Sequence, residues 1–251
     1  WIDQKLVIGS ISKNVLIIWA ARKLERIASL NAKAVTTLTK AVYPVLQRRN
    51  PRITNFHEVI PTCTDLVKFT FQEKLPANRN LLLSGVFNDY YDLEATREFI
   101  SELSNLLPST ITWCHGHEAA RNSLGVGEQI IKSLRQDEMP GEIANASFGI
   151  AICKRDIGES LAGVMPTKIA EFLAVGRPVI ISEDIGDLEE LLLSTDTGVV
   201  IRESNAIAID ELARLLDDPG TPQRCRALAE SHFSMENAIK KYDEIFRKLL
   251  S

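Results

Sequence analysis

The chain has 251 residues, with 29 basic against 33 acidic side chains and a net charge of −4. It is 45% hydrophobic, 25% charged and 6% aromatic, with a pI near 5.7 and a mean hydropathy of −0.02. These proportions exclude disordered, collagenous and disulfide-scaffold classes, and a mildly acidic chain offers no basic face to a nucleic acid. The longest apolar run, Val15 to Ala21, has seven residues, so no transmembrane segment is expected. No charged-then-apolar leader opens the chain. The four cysteines, Cys63, Cys114, Cys153 and Cys225, form no C-x-x-C pair, in keeping with a reducing, cytoplasmic setting. The length holds one large domain, or one domain and part of another. The opening Trp1, with no Met before it, reads as a piece of a longer protein.

Helical spacing of apolar positions with arginines on the polar side predicts a helix over Asn14–Leu30. A short β-branched strand follows at Ala34–Leu38, then a helix over Lys40–Arg49 that the proline after Asn50 ends. Glu58–Ile60 is another strand, and 62–80, without periodicity, is the candidate linker. From Leu81 the pattern becomes regular. Strands are expected at Leu81–Leu83, Thr110–Cys114, Glu128–Leu134, Phe148–Cys153, Pro178–Ser182 and Gly198–Ile201. Helices are expected over Leu93–Leu106, Thr167–Val175 and Asp187–Ser194, with three more beginning near Ala206, Thr221 and Met235. Gly176 suits the left-handed position at a helix C-terminus. Continuous apolar strands separated by helices predict a parallel sheet buried on both faces, a doubly wound α/β domain. Ligands of such sheets bind beyond the carboxyl ends of the strands, at helix N-termini.

Several familiar motifs are absent or incomplete. There is no G-x-x-x-x-G-K-[ST] loop, and Gly125-Val-Gly127 lacks the third glycine of a dinucleotide fingerprint. His115-Gly-His117 lacks a third metal ligand, and no H-E-x-x-H occurs, so no metal site is expected. Gly158-Glu-Ser160-Leu-Ala162 has the outline of a nucleophile elbow, but the serine lies seven residues beyond the strand end at Cys153. The informative run is Ser160 to Ser182. A small-residue loop containing Ala162 and Gly163 leads into Pro166, which suits the first turn of a helix. The Thr167 hydroxyl is placed to cap the free N–H groups there. Those groups, the helix dipole and Lys168 make an anion site. Glu171, three residues after Lys168, shares nearly the same face and is placed to accept hydrogen bonds from a vicinal diol such as a ribose. A phosphate site beside a diol acceptor describes a nucleotide. A plain amphipathic helix with solvated Lys and Glu has the same spacing, and spacing alone does not separate the two.

The run Met165-Pro-Thr-Lys-Ile-Ala-Glu-Phe-Leu-Ala-Val-Gly-Arg-Pro-Val-Ile180 resembles the nucleotide-sugar site of family 4 (group 1) glycosyltransferases with the GT-B fold. Asn31–Thr39 resembles the strand closing that family's N-terminal domain. Val59–Leu66 with Phe69 resembles the crossing between its two domains, and Leu83–Asn88 the first strand and loop of its C-terminal domain. The resemblance implies residues 1–76 as the tail of an N-terminal domain plus linker, 77–231 as a nucleotide-sugar-binding Rossmann-like domain, and 232–251 as a crossing helix.

The family implies transfer of a sugar from a nucleotide-diphosphate sugar to a saccharide or lipid-linked acceptor, with no protein-bound metal. The rest of the N-terminal domain is then a partner of this chain, and a setting at the inner face of a membrane is compatible with it. By match, Glu171 holds the ribose, while Thr167, Lys168 and the loop Ala162, Gly163, Val164, Met165 and Pro166 meet the diphosphate or sugar. The Gly85–Asn88 loop faces the phosphates, and His115 and Arg155 lie near the base or sugar. Two departures stand out. Gly163 occupies the place of the family's first glutamate, and the stretch after the first strand, Asn88–Leu93, carries no cation. Neutralisation of a diphosphate is then left to Lys168, Arg155 and helix dipoles. The alternatives are a GT-B sugar-nucleotide epimerase and a non-catalytic nucleotide-sugar-binding module.

Overall fold

The computed structural model describes residues 14–84, 90–107, 110–114, 129–132, 134–202 and 204–250. Helix α1 (Val15–Asn31) starts at Asn14, whose side chain accepts from the Leu16 N–H at 2.9 Å. None of its residues is buried, and Val15, Leu16, Trp19 and Leu24 stand exposed. Strand β1 (Val35–Thr37), helix α2 (Val42–Arg49) and strand β2 (His57–Val59) form one parallel crossover, in register from Val35 opposite His57 to Thr37 opposite Val59.

The second sheet comprises β3 (Leu81–Ser84), β4 (Ile111–Cys114), β5 (Gln129–Lys132), β6 (Phe148–Ala151), β7 (Val179–Ser182) and β8 (Gly198–Ile201). Its six strands run in the order β5-β4-β3-β6-β7-β8, and every pairing is parallel. The order is that of a doubly wound sheet, with the reversal between β3 and β6. The connecting helices are α3 (Leu93–Leu106), α4 (Met139–Asn145), α5 (Thr167–Val175), α6 (Leu188–Thr195), α7 (Asn205–Asp217) and α8 (Thr221–His232), followed by α9 (Met235–Leu250).

Alternation along the strands fills two separate cores. Leu82, Ala151, Val179, Ile181 and Val200 face α4, α5, α6 and α8. Leu81, Leu83, Ile150, Ile180 and Val199 face α3 and α7. The expected strands and helices are present with ends shifted by a few residues. Helix α4 and a 3₁₀ segment over Arg155–Gly163 are elements the periodicity does not predict. Pro140 and Gly141 argue against a helix interior, but here the proline falls in the first turn, where its missing N–H has no partner to lose. Gly158, at φ 61°, kinks the 3₁₀ segment and breaks its pattern.

The 62–80 segment makes no helix or strand of its own, yet it is tied down along its length. Thr64 pairs with Ser234 in an isolated bridge, and Phe69 enters the α5–α8 core. The Gln72 N–H donates to the Val175 carbonyl at 2.9 Å. Two arginines complete the attachment. Arg226 donates to the carbonyls of Phe69 (3.1 Å) and Ala174 (2.9 Å). Arg177, 1% exposed, donates to those of Lys74 (3.0 Å) and Ala144 (2.7 Å). Helix α9 then returns to the first sheet. Ala238 and Ile245 pack with Ile60, Phe56 and Ala34, and the Lys241 ammonium donates to the Val59 carbonyl at 2.7 Å.

Close seating of α5 on β6 depends on Gly149, where an added Cβ would lie 2.4 Å from the Phe172 ring. Phe172 is wholly buried and has nowhere to retreat. We expect Gly149→Ala to destabilise the fold by about 1–3 kcal/mol in urea unfolding, as overpacking does. Adding Phe172→Leu to that variant should recover part of the loss.

Candidate functional site

Where a doubly wound sheet reverses its order, the connections from neighbouring strands leave toward opposite faces and open a crevice at the strands' carboxyl ends. Here that point lies past Ser84 of β3 and Ala151 of β6. Residues 85–89 and 115–128 lie outside the described residues, and with them the predicted Gly85, Asn88 and His115. The chain is described again at Tyr90, laid across the end of β6. Lys154 N–H donates to the Tyr90 carbonyl at 2.9 Å, Asp92 N–H donates to the Ile152 carbonyl at 3.0 Å, and Tyr91 bridges Cys153. The Asp92 carboxylate caps α3 by accepting from the Ala95 N–H at 3.0 Å, which fixes the segment from its far side.

Helix α5 begins nearby. Pro166 is the residue before its first turn, with φ −65° and ψ 125°, and the Ile169 N–H donates to its carbonyl at 3.0 Å. Among the described residues no side chain caps this end, so the exposed Thr167 hydroxyl does not take the role its position predicts. Lys168, 9% exposed, is folded inward with its ammonium 4.1 Å from the centre of the Tyr91 ring. Burial pulls its pKa down to about 8, against the opposing pull of Cys153 and Glu171. The Cys153 thiol is pushed up to about 11, mainly by burial. Glu171 is half-buried, and burial raises its carboxyl while Lys168 and Lys68 lower it.

The structure therefore brings Lys168 and Glu171 together at the first turn of α5, beside Tyr91. Tyr91 and Lys68 were not singled out from the sequence. Lys68 sits in the aperiodic segment, and no local pattern marks it as a neighbour of Glu171. Arg155 stands apart from this pair. Its guanidinium is 2.7 Å from Glu183 and 3.3 Å from the Arg202 carbonyl, and it lines a cavity of about 390 Å³ with Asp92, Ser182 and Asn205.

The loop before α5 is held from the first sheet. The Thr39 hydroxyl donates to the Ala162 carbonyl at 2.5 Å, and the Thr62 hydroxyl to the Met165 carbonyl at 3.1 Å. Ala162, Gly163, Val164 and Pro166 are partly exposed, and Met165 is buried. At Gly163 an added Cβ would lie 3.2 Å from Val42, so this position has little room for a side chain.

A larger cleft of about 650 Å³ opens between the ends of β1 and β2 and helices α6, α8 and α9. Of the described residues predicted from sequence only Met165 lines it, and neither Lys168 nor Glu171 does. Size favours this cleft, but convergent charge and the reversal of strand order favour the α5 site, and these carry the chemistry. At α5 a cation, a carboxylate acceptor and a helix N-terminus lie together, a set fitted to an anion beside a diol. Among the described residues no group of three or more His, Cys, Asp or Glu is arranged to hold a metal ion. No helix among them is long and apolar enough to cross a membrane.

No protein-family model matches the chain, and no curated protein matches it by sequence. Solved structures match it in fold. It is similar to a sucrose-phosphate synthase from Thermosynechococcus elongatus, with a TM-score of 0.71 and 15% identity over 98% of this chain and 66% of that one. It is similar to a glycosyltransferase from Rickettsia africae ESF-5, with a TM-score of 0.65 and 17% identity over 92% and 67% of the two chains. It is also similar to Anabaena HepE in complex with UDP-glucose, with a TM-score of 0.68 and 14% identity over 91% and 68%. The chain thus has the GT-B fold that the sequence resemblance implied, with the six-stranded sheet corresponding to the Rossmann-like C-terminal domain. It spans about two thirds of the length of these structures.

A buried ammonium is a burden on the fold with a definite pH dependence. Below pH 8 Lys168 is charged in both folded and unfolded chains, and the full desolvation penalty is present. Between pH 8 and 10.5 the folded chain has released the proton while the unfolded chain retains it, so stability rises with pH. We expect Lys168→Met to stabilise the protein at pH 7 by about 2–3 kcal/mol, since each tenfold loss of proton affinity on folding is worth about 1.4 kcal/mol. Urea titrations at pH 7 and 9.5 should show the gain shrinking at the higher pH.

Proposed function

We propose that this chain binds a nucleotide-diphosphate sugar at the first turn of α5, and that the protein it belongs to transfers the sugar to a saccharide or glycoconjugate acceptor. The observation that carries this reading is the pairing of Lys168 with Glu171 at a helix N-terminus beside the sheet reversal. Lys168 meets the diphosphate and Glu171 accepts from the ribose hydroxyls, with the loop 162–166 against the phosphates or sugar. Support comes from the fold shared with HepE, whose structures hold UDP, UDP with glucose, and UDP-glucose.

On this reading residues 1–76 are the tail of an N-terminal domain with its linker, 77–231 the donor domain and 232–251 the crossing helix. The missing N-terminal part is then the partner that supplies the acceptor site. A cytoplasmic protein, met by lipid-linked acceptors at the inner face of a membrane, agrees with the thiol content. Transfer needs no metal held by this chain.

A binding module without turnover is the second reading, favoured by the absence of a carboxylate at Gly163 and the nearness of Val42 there. The test is calorimetry of this chain with UDP, GDP and their sugar conjugates. Binding of a nucleoside diphosphate is expected, and Glu171→Gln should weaken it about tenfold by removing an acceptor of charged-group strength. Equal affinity in the variant, or no nucleotide bound by either protein, refutes the site. Turnover after restoring the N-terminal part separates transferase from module.

A further inference from the structure

The donor loop is anchored through a chain of hydrogen bonds that begins in the other sheet. Thr37 and Thr39 are buried side by side at the end of β1. The Thr37 hydroxyl gives its single proton to the Thr39 carbonyl at 2.6 Å, and it also lies 2.7 Å from Nε2 of His57. Since that proton is committed, His57 donates from Nε2 and is in its Nε2–H form, stacked on Tyr43 at 3.8 Å. Thr39 in turn donates to the Ala162 carbonyl. A relay thus runs from His57 through Thr37 and Thr39 into the loop.

The same turn is locked from a third side. Asp187, just before α6, accepts from the N–H groups of Lys40 (2.5 Å) and Ala41 (3.0 Å). At Gly186, φ 49°, an added Cβ would lie 2.7 Å from the Thr39 methyl and 3.0 Å from the Ala162 carbonyl oxygen. The turn at 39–41, the loop at 162–165 and the turn at 184–187 therefore fill one another's space without slack. The Ala162 carbonyl is part-buried, where losing its donor costs free energy, so the position in which the Thr39 hydroxyl reaches it is favoured.

We infer that Thr39 is a positioning residue for the donor loop: contacts made by the first sheet set the geometry in which the loop and the adjoining turn of α5 meet a nucleoside diphosphate. This rests on the proposed nucleotide site, but the positioning itself is measurable without a ligand. Thr62, which holds the loop's other end through the Met165 carbonyl, works in the same direction.

Amide hydrogen exchange on the full chain tests it, with UDP calorimetry as a second arm and Thr39→Val, Thr39→Ser and Thr62→Val as variants. Thr39→Val keeps the shape and deletes the donor, so exchange at 161–168 should rise about tenfold while β7 and β8 stay protected. Affinity for UDP should fall about threefold to tenfold in the same variant. Thr39→Ser keeps the donor and should restore both, and Thr62→Val should loosen the same amides. Unchanged exchange at 161–168 in Thr39→Val overturns the inference. A uniform rise across all strands also overturns it, because it reports lost stability and not lost position. If wild-type chain binds no UDP, the nucleotide reading fails, and the exchange arm still decides whether Thr39 positions the loop.

Discussion

A parallel sheet leaves no face for water: its strands are joined by crossovers, and those crossovers lay helices on both sides. In this chain the requirement shows in the strand residues, apolar at consecutive positions with alternate ones entering two different cores. Once both faces are covered, only the strand ends remain open. At the carboxyl ends the connections from β3 and β6 part toward opposite faces, so the crevice is a consequence of how the sheet is wound. The position of the candidate site follows from burial before any residue in it is considered.

The burial requirement extends to the chain between the two sheets. Residues 62–80 run against α5 and α8 with no ladder to satisfy their carbonyls, and the side chains of Arg177 and Arg226 take that part. A guanidinium is suited to it, because it offers several donors in a fixed plane and is less strongly hydrated than an ammonium. The cost is visible at Arg177, whose pKa burial lowers to about 10. Its two carbonyl partners lie in the connecting segment and at the end of α4, so one side chain joins parts far apart in sequence.

Strand and helix order were legible because their signals are local: apolar runs in β3 and β7, and Gly176 in the left-handed conformation at φ 90°. Helix α4 was hidden because Pro140 reads as a breaker unless its place in the first turn is known. At the site, Lys168 and Glu171 were readable since a helix brings residues three apart together. Tyr91, Lys68 and the Thr39 hydroxyl were not, since each reaches the site through tertiary packing that no spacing encodes. The expected Thr167 cap illustrates the opposite error, in which a suitable residue at a suitable position turns outward.

In this acidic chain one cation among the described residues beside the crevice, Lys168, is buried. Desolvation weakens the charged form of Lys168, and the same loss of water strengthens its attraction to any anion that enters. A group with pKa near 8 lies close to the range in which a neighbouring charge decides its protonation. Glu171 is pushed in the complementary sense: burial, the larger influence, raises its carboxyl, and the two nearby lysines pull it back. Each member of the pair is thus poorly solvated and opposed by its neighbour's charge. A fold under selection for stability alone would place a methionine at position 168, and an anion bound at the proposed α5 site is what would account for the ammonium there.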